Sequence, residues 1–150
     1  MPGYDSGSYD AGVYDDNADV VALLNRYAEP TTNLYREGRR SVSRTYVYHA
    51  TSELPAIALE WLDSAGEVID LTAATFRMTI NPLDGSDATV KTAGFMGDDA
   101  SPNLLITWDT GELATLGVGT YTLHLEAIVG GEARPWKPGN PDRLVIKETV

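Results

Sequence analysis

Residues 57–80 read IALEWLDSAGEVIDLTAATFRMTI. At the start of this run Ile57, Leu59 and Trp61 point one way and Ala58 and Glu60 the other, the period of two that marks a half-buried strand. The SAG that follows makes a tight turn, and EVIDL is expected to return as a second strand. Further on, Phe76, Met78 and Ile80 alternate with Arg77 and Thr79, so TFRMTI sends three large apolar side chains inward. Between them these residues decide for β-structure, because no helical period of three and four survives an alternation this strict.

The same alternation extends in both directions. TYVYHA (45–50) sets Tyr46 and Tyr48 against Val47 and His49, and LLITWD (104–109) places Leu104, Ile106 and Trp108 on one face. In TYTLHLEAIV (120–129) the inward set is Tyr121, Leu123, Leu125 and Ala127, and Gly130–Gly131 turns the chain. ATVKTAGF (88–95) reads as an edge strand after the turn-rich NPLDGSD, while DTGELATLGVG (109–119) holds a brief helical turn. EARPW and RLVIKETV close the pattern around the hinge KPGNP (137–141). Roughly seven to eight short strands with turn signals every 8–12 residues predict an all-β fold, an immunoglobulin-like antiparallel β-sandwich.

The first 44 residues differ. MPGYDSGSYDAGVYDD spaces Tyr4, Tyr9 and Tyr14 evenly, each followed by an aspartate, with Gly and Ser between. Up to Val20 every charge is negative: Asp5, Asp10, Asp15, Asp16 and Asp19. From Val21 to Arg44 the sign reverses, with Arg26, Arg36, Arg39, Arg40 and Arg44 against Glu29 and Glu37. ADVVALLNRYAEP predicts a short helix over about 18–29, capped by Asn17 or Asp19, ended by Pro30, with Val20, Leu23, Leu24 and Tyr27 on one face. Alone it is too short to persist in water. TTNLYREGRRSVSR (31–44) reads as an extended basic connector broken at Gly38. The expected division is an N-terminal docking arm over 1–44 and a sandwich over 45–150. Partner contacts are expected at Tyr4, Tyr9, Tyr14, Leu23, Leu24, Tyr27, Arg36, Arg39 and Arg40, as segments that order on binding can wrap a large surface.

Composition restricts the chemistry. A net charge of -11 over 150 residues opposes nucleic-acid binding, which wants clustered Lys and Arg. The absence of cysteine removes disulfides, thiolate metal sites and a Cys nucleophile. No apolar run approaches the roughly 20 residues of a membrane span, and the acidic start does not read as a secretory signal. The expected place of synthesis is therefore a cytoplasm.

No residue pattern announces catalysis. His49 and His124 lie on different strands and lack a carboxylate at metal-ligand spacing. Asp15–Asp16 and Asp98–Asp99 sit in loops that hold nothing rigidly across a cleft. GFMGDDASPN offers clustered oxygens for a weak calcium site but not the EF-hand spacing. Ser41 and Ser43 have no partner histidine nearby and no nucleophile elbow, and no P-loop or dinucleotide glycine set follows a strand. The reading is non-enzymatic, with no cofactor. Trp61 and Trp108 fall on core faces; Trp136, beside Pro135 and Pro138, is expected to be partly exposed.

The runs IALEWLDSAGEVIDLTAATFRMTI, TGELATLGVGTYTLHLEAIV and RPWKPGNPDRLVI together resemble the N-terminal domain of phage upper-baseplate proteins of the BppU type. The resemblance rests on the turn Asp63–Gly66, the stretch Ile69–Phe76, and Gly119–Leu125, and covers about residues 54–150. It departs at Ala73, where that family commonly has glycine, and in the extra prolines of the closing hairpin. It implies a structural part of a bacteriophage virion, a minor tail or baseplate protein whose partners are other phage structural proteins. Two alternatives accompany it: a capsid decoration protein, and a carbohydrate-binding module acting on a host-surface glycan through Trp136.

Overall fold

The computed structural model of the chain describes residues 32–148. The strands are β1 (Asn33–Arg36), β2 (Thr45–His49), β3 (Ile57–Leu62), β4 (Thr75–Pro82), β5 (Thr89–Lys91), β6 (Phe95–Gly97), β7 (Leu104–Ile106), β8 (Gly119–Val129), β9 (Glu132–Pro135) and β10 (Asp142–Lys147), with one helix, α1 (Glu112–Leu116), before β8. They form two sheets. One runs β1-β3-β7-β6; the other runs β2-β10-β8-β4-β5, with β9 hairpinned onto β8. The helix expected over 18–29 lies outside the described residues.

The alternations read from the sequence decide which faces meet. Ile57, Leu59 and Trp61 of β3 and Leu104 and Ile106 of β7 come from one sheet. Phe76, Met78 and Ile80 of β4 and Tyr121, Leu123, Leu125 and Ala127 of β8 come from the other. All are buried, so the core lies between two inward faces, as in a sandwich. Trp61 and Trp108 belong to it, as expected. The long β4–β8 ladder sets Met78 opposite Leu125 and Ile80 opposite Leu123. Gly130 (φ 58°) and Gly131 (φ 83°) supply the positive φ values that a tight hairpin into β9 requires.

Five expectations need correction. The sandwich is not wholly antiparallel: β1 runs parallel to β3, and β2 parallel to β10. From β1 in one sheet the chain crosses to the other for β2 and returns for β3, which leaves β1 and β3 pointing the same way.

The second concerns 31–44, expected as a connector. Asn33–Arg36 pairs with β3 in register from Asn33–Leu59 to Arg36–Leu62, burying Asn33 and Tyr35. The described residues form a compact unit that begins at Thr32, so this segment lies within the sandwich.

EVIDL is the third. It makes a short return beside the end of β3 rather than a strand: an isolated bridge joins Val68 to Leu62, the Ile69 N–H donates to the Trp61 carbonyl at 3.2 Å, and the Asp63 N–H donates to the Glu67 carbonyl at 2.8 Å. Asn103 ties this return to β3: its Oδ1 accepts the Trp61 N–H at 2.8 Å, and its Nδ2 donates to the carbonyls of Trp61 (2.9 Å) and Ile69 (2.8 Å).

ATVKTAGF, the fourth, is two strands rather than one. β5 and β6 are edges of opposite sheets, and the chain switches between them through Gly94 (φ 85°), whose missing side chain leaves room for the Thr107 carbonyl.

The fifth is Trp136, which is only 4% exposed. Its ring meets Tyr35 and Trp61 edge-on at 5.3 and 5.2 Å, and its Nε1–H donates to Asp142 at 2.9 Å.

Candidate functional site

Among the described residues, the segment 33–49 contributes an edge strand to each sheet. β1 ends the four-stranded sheet and β2 ends the six-stranded one, and the link 37–44 passes between them. An edge strand offers unpaired backbone groups to a partner chain. Along this segment Leu34, Val42 and Val47 are exposed apolar residues, Val42 by 76%. Arg39 and Arg40 are exposed in the turn after β1. On the outer face beside β2, Arg143 stands opposite Thr45 and Lys147 opposite His49, all exposed. Exposed basic residues thus stand both in the turn after β1 and on β10 beside β2, in a strongly acidic chain.

Of the residues expected to bind partners, Arg36 is partly buried and hydrogen-bonds a neighbouring turn at the surface. Its Nε and Nη2 donate to the Ser64 carbonyl at 3.3 and 3.0 Å, and its guanidinium lies over Gly66. Arg39 and Arg40 remain at the surface. Tyr4, Tyr9, Tyr14, Leu23, Leu24 and Tyr27 lie outside the described residues. Next to Arg36, Glu37 accepts from Trp61 Nε1 (3.1 Å) and pairs with Arg134 (2.7 Å) at a shallow pocket of about 280 Å³ shared with Tyr35 and β9.

Beneath this segment lies a buried polar cluster. Lys137, 2% exposed, donates to Asn33 Oδ1 (2.8 Å), Asp142 Oδ1 (2.9 Å) and the Val42 carbonyl (2.8 Å). Asp142, also 2% exposed, further accepts from Asn33 Nδ2 (2.8 Å), Trp136 Nε1 (2.9 Å) and the Arg44 N–H (2.7 Å). The Tyr46 hydroxyl accepts from Asn33 as well. Burial first, then the Asp142 charge, pushes the Tyr46 hydroxyl far above the ordinary tyrosine value, with the Asn33 hydrogen bond pulling the other way. Every donor of the ammonium and both carboxylate oxygens are engaged, which is what a buried charge demands. Sequence reading missed the cluster. The signal within KPGNPD is a Lys and an Asp five apart beside a tryptophan; Asn33, over a hundred residues earlier, is invisible until the fold is known.

The remaining candidates do not assemble. His124 is exposed on β8 within 3.4 Å of the Thr122 hydroxyl, and His49 is exposed on β2 with its Nδ1 near the Glu148 carbonyl. Asp98 accepts the N–H of Asp99, and both are exposed. Among the described residues no three His, Cys, Asp or Glu side chains gather where a metal ion would sit. Ser43 donates to the Pro141 carbonyl. With Trp136 buried, the carbohydrate-binding reading loses its platform.

No protein-family model matches the chain, and no curated protein does. A solved structure does. The chain is similar to the N-terminal domain of phage TP901-1 ORF48. The TM-score is 0.48 at 10% sequence identity, over 77% of this chain and 95% of that one.

Proposed function

We propose that the chain is a non-enzymatic structural component of a bacteriophage virion, a minor tail or baseplate protein that joins neighbouring subunits through its N-terminal segment. The observation that carries this reading is the placement of the residues by which the sequence resembles the BppU-type domain: they shape the backbone. Asp63 Oδ1 accepts the N–H groups of Ala65 and Glu67 around Gly66 (φ 86°). Asp70 accepts from Thr72, and the Tyr121 hydroxyl reaches the carbonyls of Leu116 and Gly117. The resemblance therefore lies in the fold, and a fold acquires its function from its surfaces.

The surface supports attachment. The acidic leader of 1–20 and the exposed Arg39, Arg40, Arg143 and Lys147 are of opposite sign, so the leader of one subunit suits these cations on a neighbour. Tyr4, Tyr9 and Tyr14 are the anchors, giving contact area at low entropic cost. Gold labelling of native particles with an antibody to this chain tests the reading. Label at the tail tip, in a small fixed number of copies, is expected. Label spread over the head would instead assign a capsid decoration protein, and particles free of the chain would contradict both.

A further inference from the structure

We infer that Lys137 and Asn33 condense to an intramolecular amide, with Asp142 as the catalytic acid–base, so that the mature sandwich is covalently closed between its first strand and the turn before its last. The geometry is that of a reaction site rather than a simple ion pair. A lysine amine, a carboxamide and a carboxylate meet in one dry pocket, each within hydrogen-bond distance of the other two. Lys137 Nζ is 2.8 Å from Asn33 Oδ1, one bond from the carbonyl carbon. Asp142 touches both reactants, with Oδ1 2.9 Å from Lys137 Nζ and Oδ2 2.8 Å from Asn33 Nδ2. Side-chain exposures of 1% for Lys137 and 3% for Asp142 exclude water that would hydrolyse an intermediate.

The steps balance without a co-reactant. A proton passes from Lys137 Nζ to Asp142 along their hydrogen bond, which frees the amine lone pair. The neutral amine attacks Cγ of Asn33, forming the N–C bond and placing the carbonyl electron pair on Oδ1. Asp142, already on Nδ2, gives its proton to that nitrogen; the C–Nδ2 bond breaks as the carbonyl re-forms, and ammonia leaves. The added nitrogen gives up its surplus proton to the carboxylate. The product is a secondary amide between the two side chains, with one ammonia lost and nothing oxidised or reduced. Holding the partners in contact converts an otherwise very slow amide exchange into a unimolecular step.

Two further features fit a site shaped for chemistry. Lys137 has φ 46°, an uncommon conformation for a long side chain, and strain of this kind gathers at functional positions. Trp136 fixes Asp142 by donating to Oδ2, and Trp61 and Tyr35 pack on Trp136, so the carboxylate is held from behind. The bond would join β1, where the chain enters the sandwich, to the turn leading into β10.

Intact-mass spectrometry of the purified full chain under denaturing conditions tests this. The wild type is expected to weigh one ammonia less than the Asn33→Ala and Lys137→Arg variants do relative to their own sequences, and proteolysis should yield one branched peptide containing both Asn33 and Lys137. Asn33→Asp should lose one water in place of ammonia. A wild type at its full sequence mass after prolonged incubation in the folded state would overturn the inference, as would a mass deficit that persists in Lys137→Arg. Because the decisive readout is the wild-type mass, poor folding of a variant does not weaken the test.

Discussion

Asn103 engages both backbone groups of Trp61, 42 residues earlier: its Oδ1 accepts the Trp61 N–H at 2.8 Å and its Nδ2 donates to the Trp61 carbonyl at 2.9 Å. Both residues are fully buried. The carboxamide thus ties the end of β3 to the residue before β7 and, through the Ile69 carbonyl, to the segment that follows β3. Asn103→Ala would leave buried backbone groups unsatisfied and is expected to cost about 2–4 kcal/mol, since each such group costs about 1–3 kcal/mol. Urea denaturation measures the loss; a change within error would show that water replaces the side chain.

Gly97 of β6 passes tightly over Leu71. A Cβ built there would lie 2.0 Å from the Leu71 carbonyl oxygen, a backbone atom that cannot swing aside. Gly97→Ala is expected to destabilise by about 1–3 kcal/mol, the usual range for overpacking. Thermal melts of the variant against wild type check this, with Gly97→Ser expected to be at least as damaging.

Alkaline pH should act through Tyr46. Its hydroxyl ionises less readily in the folded state than in the unfolded chain, because burial and Asp142 oppose the anion. The folded pKa is raised, so this stabilising contribution is complete below the unfolded value of about 10 and is lost as pH climbs from there toward the folded value. Above about pH 10, Tyr46→Phe should therefore lose stability more slowly than wild type. Parallel slopes between pH 9 and 12, measured by denaturant midpoints, would place the effect elsewhere.

Truncation should separate residues 1–31 from 32–44. Removing 1–31 leaves every strand of the described unit in place. Removing 1–44 deletes β1 and Asn33, uncovers the β3 edge and takes away one partner of Lys137 and Asp142. The shorter deletion should keep the stability of the sandwich, and the longer one should lower it by about 3–5 kcal/mol or abolish folding. Circular dichroism melts distinguish the two outcomes.

Strands with a local signature were legible in the chain. Phe76, Met78 and Ile80, or Leu123 and Leu125, declare their face through their nearest neighbours, and that information survives any topology. β1 was not legible. NLYR is short, sits among arginines, and is a strand only because β3 lies beside it. EVIDL misled for the converse reason: it has strand composition, but its contact with β3 stops at one bridge and two flanking backbone hydrogen bonds. Trp136 was misjudged because flanking prolines suggest a surface turn, whereas the ring is drawn inward by Tyr35, Trp61 and Asp142.

The central claim is that the front of the chain attaches and the sandwich builds. Incorporation of the chain lacking 1–31 into particles, in a phage whose own copy has been deleted, tests it most directly. The account predicts a truncated protein that is folded and absent from purified particles. Incorporation at full occupancy would contradict it.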